Sequence, residues 1–359
     1  MWEFPVDQGL VLVRPDFDGF YLLNSTAQLV WREWREGISV AEIAAGLAAD
    51  FGIAVEVARR DVEATVVSWQ AGLLAPSPPS VLPPPPAVEV EKADARPFDC
   101  VVHGNAMRVF LESGEVWDEI APRLDPLRAE VTLPARTFHV RTGAGRVLVF
   151  RDGACIGDEE NAAGARAILL QAMASRGEPA AILHAGGCGG VLLAGHTHSG
   201  KSTLCAALMG RGVPYYCDDS AVLDRDFQLT PMPFPLMLRS GSWPLIEGRF
   251  PEFGKSPVYR RWGSDIRFLT PRCAPAAATV TALVFVRYLK GAGTQLAELT
   301  VFDSLLALQR SGFWVEHSPE TIARFLAWLA EIPRYTLQYE DLPAAEGIIL
   351  DLTAHAPRP

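Results

Sequence analysis

The chain has 359 residues, a formal net charge of −10 and a hydrophobic fraction of 49%. That length suffices for two domains, and the composition is that of a globular protein rather than a disordered one. The acidic balance disfavours a dedicated DNA- or RNA-binding surface, which needs many cationic side chains. No CxxC pair, secretion-type leader or run of 18 apolar residues occurs. We therefore expect reduced thiols, a cytoplasmic location, and no nucleic-acid or membrane partner.

The N-terminal part predicts a β-hairpin followed by three helices. β-forming residues flank the turn-rich residues 15–18, which predicts two antiparallel strands. Asn24 is placed to cap a first helix, and Ser39 with Glu42 forms a capping box for a second. Apolar residues spaced three to four apart predict a third helix over residues 55–71.

Several short segments accompany these elements: Leu23-Asn24-x-Thr26-Ala27, Trp31, Val40-x-Glu42-Ile43, Asp61-Val62 and Gly72-Leu73-Leu74. With them, residues 1–75 resemble the PqqD family. The resemblance implies a small winged-helix-like α+β domain that recognises the leader of a ribosomally made peptide. It also implies that the leader adds as a strand near Gly19 to Leu23, against the helix from Asp61 to Ala71. A nucleic-acid-binding winged helix and a structural cap are the alternatives, but the third helix has no basic stripe.

A proline-rich segment follows this first part. Eight prolines lie between Pro76 and Pro97, four of them consecutive. Proline disfavours helices and central strands, so residues 76–97 are expected to form an extended spacer before a larger domain at 98–359. An aromatic groove can also bind a proline run, but the spacer is the simpler interpretation.

The larger part begins with predicted strands at 98–111, 136–140 and 146–150 and a helix at 162–175. An apolar run over 190–194 then predicts a buried strand. It leads into Gly195-His196-Thr197-His198-Ser199-Gly200-Lys201-Ser202, which matches G-x-x-x-x-G-K-[ST], and Thr203 opens an apolar helix. Strand, loop and helix in this order predict a P-loop that binds nucleotide phosphates, with Lys201 supplying charge and Ser202 binding magnesium.

Two adjacent carboxylates, Asp218 and Asp219, follow a short predicted strand 17 residues after Lys201. Paired acids beside bound magnesium can divide two tasks, since one holds the metal and the other accepts a proton from a hydroxyl group. An exposed Asp-Asp turn is the alternative interpretation.

Together with His184 and the turn at Arg211-Gly212, these segments resemble the HPr kinase/phosphorylase superfamily, and more closely its members that phosphorylate peptide precursors. The resemblance covers residues 98–350. It implies an α/β fold, namely a P-loop core with a smaller β-rich subdomain. It places His184 near the transferred phosphate and makes Asp218 and Asp219 the base and the metal-linked acid, without deciding which is which.

The same resemblance implies a phosphate or peptide contact at Arg239, where related kinases have a basic residue. His196 and His198 depart from the small residues usual in this loop. Each of these two histidines has two open interpretations, a phosphate contact or a solvent-facing position. No segment after Asp219 matches the superfamily's dephosphorylation element, so a phosphorylase reaction is not expected.

These features predict a kinase that uses ATP and magnesium to phosphorylate a hydroxyl group, first of all serine, on a precursor peptide recruited by residues 1–75. Lys201, His184, Asp218 and Asp219 are the expected catalytic residues, and Ser202 and Asp219 the expected metal ligands. Two alternatives remain open, a nucleotide-regulated protein that delivers a peptide without catalysis and a small-molecule kinase. Other maturation enzymes are further candidate partners.

Overall fold

The structure is a computed structural model that describes residues 1–75, 94–175, 177–261 and 263–354. The chain forms two compact units. Unit 1 contains the described residues up to 75 together with Leu299–Leu306 and His317–Ala330, and unit 2 contains the rest. Most of the spacer expected at 76–97 lies outside the described residues, and its last three residues begin a strand.

Unit 1 begins with a three-stranded antiparallel sheet followed by three helices. Its second strand is central, and its first and third strands are the outer ones. The hairpin and the three helices were predicted, whereas the first strand was not. The elements are β1 (Trp2–Val6), β2 (Gly9–Arg14), β3 (Phe17–Asn24), α1 (Ser25–Arg35), α2 (Val40–Phe51) and α3 (Val55–Ala71).

The first two helices begin where the sequence places their caps. The Asn24 side chain accepts a hydrogen bond from the Ala27 amide at 2.9 Å. Ser39 and Glu42 form both halves of the capping box, which satisfies two amides that lack an intrahelical partner. Gly52 ends α2 in the left-handed region, where glycine is favoured.

Strand β2 is buried on both faces. Leu10 and Leu12 pack into an apolar cluster with Trp31 and other residues of the three helices. On the opposite face Val11 and Val13 are also fully buried. A continuous apolar run is typical of a strand covered on both sides. Segments far along the chain complete this unit.

Unit 2 opens with a five-stranded sheet in which each strand pairs with the next one along the chain. The β-forming stretch predicted at 98–111 forms two antiparallel strands, which a turn at His103 and Gly104, both with positive φ, divides. The elements are β4 (Ala95–Val102), β5 (Asn105–Glu112), α4 (Glu115–Leu124), a 3₁₀ turn (Asp125–Leu127), β6 (Arg136–Gly143), β7 (Arg146–Arg151), β8 (Ala154–Glu159) and α5 (Ala162–Ala174).

The strand, loop and helix expected around residues 190–209 follow this sheet. Every residue of the strand and most of the helix are buried. The elements of this stretch are β9 (Ala181–Leu183), β10 (Ala185–Cys188), β11 (Val191–Ala194), α6 (Lys201–Met209), β12 (Tyr215–Cys217), β13 (Ala221–Leu223) and β14 (Gln228–Leu229).

The remaining elements are divided between the two units, since two of their helices contribute residues to unit 1. They are β15 (Leu236–Arg239), 3₁₀ turns at Ser240–Ser242 and Pro251–Lys255, α7 (Trp243–Glu247), β16 (Tyr259–Arg261), β17 (Ser264–Leu269), β18 (Ala278–Thr279), β19 (Ala282–Tyr288), β20 (Gln295–Glu298), α8 (Val301–Ser311), β21 (Phe313–Val315), α9 (Pro319–Glu331), β22 (Arg334–Tyr339) and α10 (Leu342–Ala354).

A six-stranded sheet in the order β12-β10-β11-β19-β22-β20 forms the centre of unit 2. β11, β19 and β22 are parallel, and β10 runs antiparallel to both β11 and β12. The carboxyl ends of β11 and β12 therefore lie at the same edge of the sheet as the start of β10. The chain is thus mixed α/β with several sheets. Over the residues that the structure describes, no helix combines the length and apolarity needed to cross a bilayer.

Candidate active site

One edge of the central sheet brings the predicted site residues together. Gly189 and Gly190 both have positive φ and join β10 to β11 in a tight hairpin. Since Ala185 pairs with Ala194, their chain neighbours His184 and Gly195 both lie at this edge. β12 pairs with β10 and ends at Cys217, so Asp218 and Asp219 emerge at the same place.

The glycine loop, residues 195–202, follows β11 along a path that demands glycine. Gly195 and Gly200 have φ of +141° and +96°. A Cβ on Gly200 would lie 2.1 Å from the Tyr339 hydroxyl oxygen, and that hydroxyl donates to the Gly200 carbonyl at 3.3 Å. The loop therefore has no room for a side chain at this position.

Lys201 lies beneath the glycine loop at the start of α6. Its ammonium donates to the carbonyl oxygens of Gly195 at 2.6 Å and His196 at 3.1 Å, and the residue is 5% exposed. Burial lowers the pKa of Lys201, although the nearby aspartates act in the opposite direction. No side chain caps α6, so its first amides point toward the loop without a helical partner.

The other loop residues differ in exposure. His196, Thr197 and His198 are exposed, and His198 has a φ of +68°. Ser202 and Thr203 are half-buried at the first turn of α6. The side-chain hydroxyl of Ser199 is buried and has no hydrogen-bond partner among the described residues. The loop thus presents exposed histidines outside and an unsatisfied hydroxyl inside.

Hydrogen bonds hold both the backbone and the ring of His184 in place. Its amide donates to the Gly312 carbonyl at 2.9 Å. Its Nδ1 lies 3.0 Å from the Asp219 carbonyl oxygen, so Nδ1 carries the proton because a carbonyl only accepts. Burial, and then the charge of Lys201, lower the pKa of His184. The ring is therefore neutral at neutral pH, with a lone pair on Nε2.

The two aspartates have unequal surroundings. Asp218 is 6% exposed, its Oδ2 accepts from the Met237 amide at 3.3 Å, and its Oδ1 has no partner among the described residues. Burial, and then the charge of Asp219, raise the pKa of Asp218 to about 7. Burial alone would raise the pKa of Asp219 too, but the positive charges of Arg123, Arg166 and other neighbours lower it.

Two arginines that sequence analysis missed lie beside the aspartates. Arg123 of α4 has Nη2 3.8 Å from Asp219 Oδ2, and Arg166 of α5 donates to Glu119 at 2.6 Å. Arg123 and Arg166, together with Asp218 and Asp219, line a cavity of about 40 Å³. Arginine is mostly exposed, so no local pattern marks these two as buried in a site.

Two further predicted roles concern Arg239 and a metal ion. Arg239 ends β15 and donates from Nη1 to the Ser264 hydroxyl at 3.2 Å, within the three-stranded sheet of β15, β16 and β17. Across the described part of the chain, no three or more His, Cys, Asp or Glu side chains cluster to hold a metal ion. The predicted metal ligands Ser202 and Asp219 lie in the first turn of α6 and directly after β12.

The predicted leader-binding segments lie in unit 1. β3 pairs with β2 and forms an outer strand of its sheet. α3 buries Val62, Val66 and Trp69 and exposes Val67. An outer strand offers backbone donors and acceptors to an added peptide strand.

Comparison with known proteins gives a match within the N-terminal part of unit 1. Residues 9–73 match the family model of coenzyme PQQ synthesis protein D (PqqD). Neither the curated proteins nor the solved structures give a match to the chain. PqqD domains bind precursor peptides in pathways that modify ribosomally made peptides, so the match associates this chain with peptide maturation and is consistent with a peptide partner.

Proposed function

We propose that the protein is a kinase that uses ATP and magnesium to phosphorylate a hydroxyl group, first of all a serine, on a ribosomally synthesised precursor peptide. The observation that carries the proposal is the convergence of the glycine loop, Lys201, His184 and the aspartate pair at one edge of the central sheet. The glycine loop serves as a P-loop of HPr-kinase-like type. The PqqD-like part of unit 1 holds the leader.

The residues present fit a nucleoside triphosphate. A helix start without a side-chain cap favours anions, and Lys201 adds a full charge beside it. The unsatisfied hydroxyl of Ser199 and the unsatisfied Oδ1 of Asp218 are groups that a bound ligand would complete. Magnesium, held by Ser202 and Asp219, would neutralise charge on the phosphate oxygens.

The reaction is a transfer of the terminal phosphoryl group. The acceptor oxygen forms a bond to phosphorus, and the bond from phosphorus to the bridging oxygen breaks with its electron pair remaining on ADP. The hydroxyl proton passes to a carboxylate. We assign that proton to Asp218, because burial raises its pKa to about 7, which suits a base at neutral pH, whereas nearby arginines lower the pKa of Asp219.

His184 serves to orient the acceptor. A neutral ring with the proton on Nδ1 presents a lone pair at Nε2, which accepts from a hydroxyl but repels a phosphate oxygen. The ring is fixed by the Asp219 carbonyl at 3.0 Å. Lys201 remains at the glycine loop and stabilises charge on the phosphates.

Leader binding raises the local concentration of the acceptor segment. A peptide held on β3 by main-chain hydrogen bonds is tethered, so weak recognition near the serine is sufficient. This part of the proposal rests on the PqqD match over residues 9–73.

The test uses the full chain with ATP, magnesium and a candidate precursor peptide, and intact mass spectrometry detects the gain of one phosphate. We expect the gain in the wild-type protein and its loss in Lys201→Ala and in Asp218→Asn. Phosphorylation at the wild-type level in both variants would contradict the mechanism. Circular dichroism of each variant controls for folding.

Competition with the leader separates the alternatives. Excess leader peptide without the acceptor segment should lower the rate at subsaturating precursor, because both occupy the same outer strand. A small-molecule kinase would be indifferent to added leader, and a delivery protein would bind precursor and ATP without any mass gain. The full chain is used since Leu299–Leu306 and His317–Ala330 belong to unit 1 along with the N-terminal segment.

A further inference from the structure

Arg123 is a buried cation with unusually weak partners. It is 4% exposed and lies on α4 next to the aspartate pair. Its polar contacts are Met237 Sδ at 3.6 Å and Asp219 Oδ2 at 3.8 Å. Its guanidinium carbon lies 5.4 Å from the centre of the Phe268 ring. A guanidinium has five N–H donors, so these contacts use little of its capacity.

Arg108 in the same unit shows how an arginine with a structural role is held. It donates to both carboxylate oxygens of Asp99, at 2.7 and 2.8 Å, and to the Val131 carbonyl at 2.8 Å. Burying a charge is costly unless it is paired and hydrogen-bonded. Arg123 is more deeply buried and much less well paired, so packing alone does not account for it.

The lining of the cavity next to Arg123 holds two arginines and two aspartates, and the wider cluster around it has a formal charge of +1. Burial, and then the charge of Arg123, lower the pKa of Arg166 to about 10, so Arg166 lies within electrostatic reach of Arg123. Glu119 compensates in part, since it contacts Arg166 at 2.6 Å and Arg261 at 3.9 Å. Together with Lys201, which interacts electrostatically with both aspartates, this wider cluster holds four cations and the three carboxylates of Glu119, Asp218 and Asp219.

A small anion matches this charge and this space. The cavity of about 40 Å³ has room for roughly three water-sized groups, and an intact nucleotide is far larger. A phosphoryl group presents three oxygens of that size, and the planar fork of arginine binds two of them at once. Asp218, whose buried Oδ1 has no hydrogen-bond partner among the described residues, lines the same cavity.

We propose that Arg123 is a catalytic residue that binds the phosphoryl group during its transfer, on the side opposite the glycine loop. The inference rests on the proposed kinase function and adds a cation supplied by α4, outside the glycine loop and the aspartate pair. Arg166, which forms a 2.6 Å ion pair with Glu119, lines the same cavity. An arginine in this role is typically worth 10³- to 10⁵-fold in kcat.

The decisive experiment measures binding of MgADP with and without aluminium fluoride, which mimics a phosphoryl group in transfer. Titration calorimetry is run on wild type, Arg123→Met, Arg123→Lys and the control Arg108→Met. We expect aluminium fluoride to tighten MgADP binding by at least about 30-fold in wild type and in Arg108→Met. Both Arg123 variants should lose most of that gain while their affinity for MgADP alone stays within about threefold.

Steady-state kinetics with the precursor peptide supply the second readout. We expect kcat to fall at least 100-fold in Arg123→Met, with KM for ATP changed by less than about threefold. A value of kcat within threefold of wild type, or an unchanged fluoride effect, would overturn the role of Arg123. Arg123→Lys keeps the charge and covers the case in which Arg123→Met does not fold.

The two proposals fail in different ways. If the wild type phosphorylates no peptide but the fluoride effect depends on Arg123, the peptide substrate is wrong and the phosphoryl site stands. If the wild type phosphorylates the peptide and Arg123→Met does so equally well, the kinase stands and the Arg123 proposal fails.

Discussion

The surroundings of Arg14 in unit 1 and the candidate active site in unit 2 treat buried polar groups differently. In unit 1 the buried Arg14 donates to both oxygens of Asp16, at 2.9 and 2.6 Å, and also to two backbone carbonyls. In unit 2 the buried Asp218 and Ser199 each keep a polar atom without a partner among the described residues. Complete pairing stabilises a fold, whereas two unsatisfied buried groups at the same edge of a sheet favour a site that a ligand completes. The contrast distinguishes a structural ion pair from a candidate binding site.

The largest effect is expected at the glycine loop. Gly200→Ala places a Cβ 2.1 Å from the Tyr339 oxygen at a φ of +96°, so the loop must shift. We expect binding of an ATP analogue to weaken by about 100-fold or more. Gly212→Ala is the matched control, because it has a φ of +83° but nothing within 4 Å of its Cβ. Calorimetric affinities that fall equally in both variants would contradict a specific clash.

The next effect concerns the other end of α6. Glu346 is fully buried and accepts from Arg249 at 2.6 Å and Arg211 at 3.1 Å, while Arg249 also donates to the Ala207 carbonyl at 2.8 Å. Burial alone would raise the pKa of Glu346, but these two arginines lower it. Its contribution is therefore complete above the unfolded-state pKa and is lost as pH falls through the lower folded-state pKa.

Glu346→Gln should accordingly reduce the free energy of unfolding by about 1–3 kcal/mol at pH 7. The difference from wild type should shrink below about pH 4, where the wild-type carboxylate also becomes protonated. Urea unfolding at pH 7 and below about pH 4 measures this difference in the free energy of unfolding. The exposed Glu298→Gln is the control. A difference that is the same at both pH values would rule out the ion pairs as its cause.

In unit 1, two adjacent valines on α3 allow the contribution of burial to the free energy of unfolding to be measured. Val66 is 6% exposed and Val67 is 61% exposed on the same helix. Val66→Ala should cost about 1–3 kcal/mol through lost burial and a cavity, and Val67→Ala less than about 0.5 kcal/mol. Urea unfolding with amide exchange read out in α1–α3 tests this. Affinity of the glycine loop for an ATP analogue should stay unchanged in both variants.

The smallest effect is expected at Asp7. Its carboxylate accepts from the Val301 amide at 2.7 Å and the Phe302 amide at 3.1 Å, and so caps α8 within unit 1. Asp7→Asn keeps the shape and removes the charge, which should cost about 1 kcal/mol. Amide exchange in the first turn of α8 should quicken. The exposed Asp50→Asn should leave that exchange unchanged, and equal changes in both would rule out a cap.

Local signals were strong enough to predict part of the molecule. The caps at Asn24 and Ser39 and the glycine at the end of α2 act within one helical turn, so they are readable from neighbouring residues. The loop from Gly195 to Ser202 is equally local, because its glycines and lysine are contiguous. The turn at His103 was missed, since its positive φ of 50° is rare outside glycine.

Contacts between distant residues could not be predicted in this way. Burial of Val11 and Val13 depends on strand β2 being covered on both faces, and Phe302 abuts Gly9 from almost 300 residues along the chain. Asp7 as a helix cap depends on the same packing. Arg123 and Arg166 became site residues only through the placement of α4 and α5 beside the aspartate pair.

The sequence by itself determined the PqqD-like segment, the caps and the glycine-loop pattern, because each depends on residues close together in the chain. Tertiary structure alone decided that His184 lies at the same sheet edge as Gly195, that Nδ1 of His184 faces the Asp219 carbonyl, and that Arg123 faces the Asp219 carboxylate. Strand order and register set those distances. They arise from packing energy summed over the whole sheet, which no short window of sequence contains.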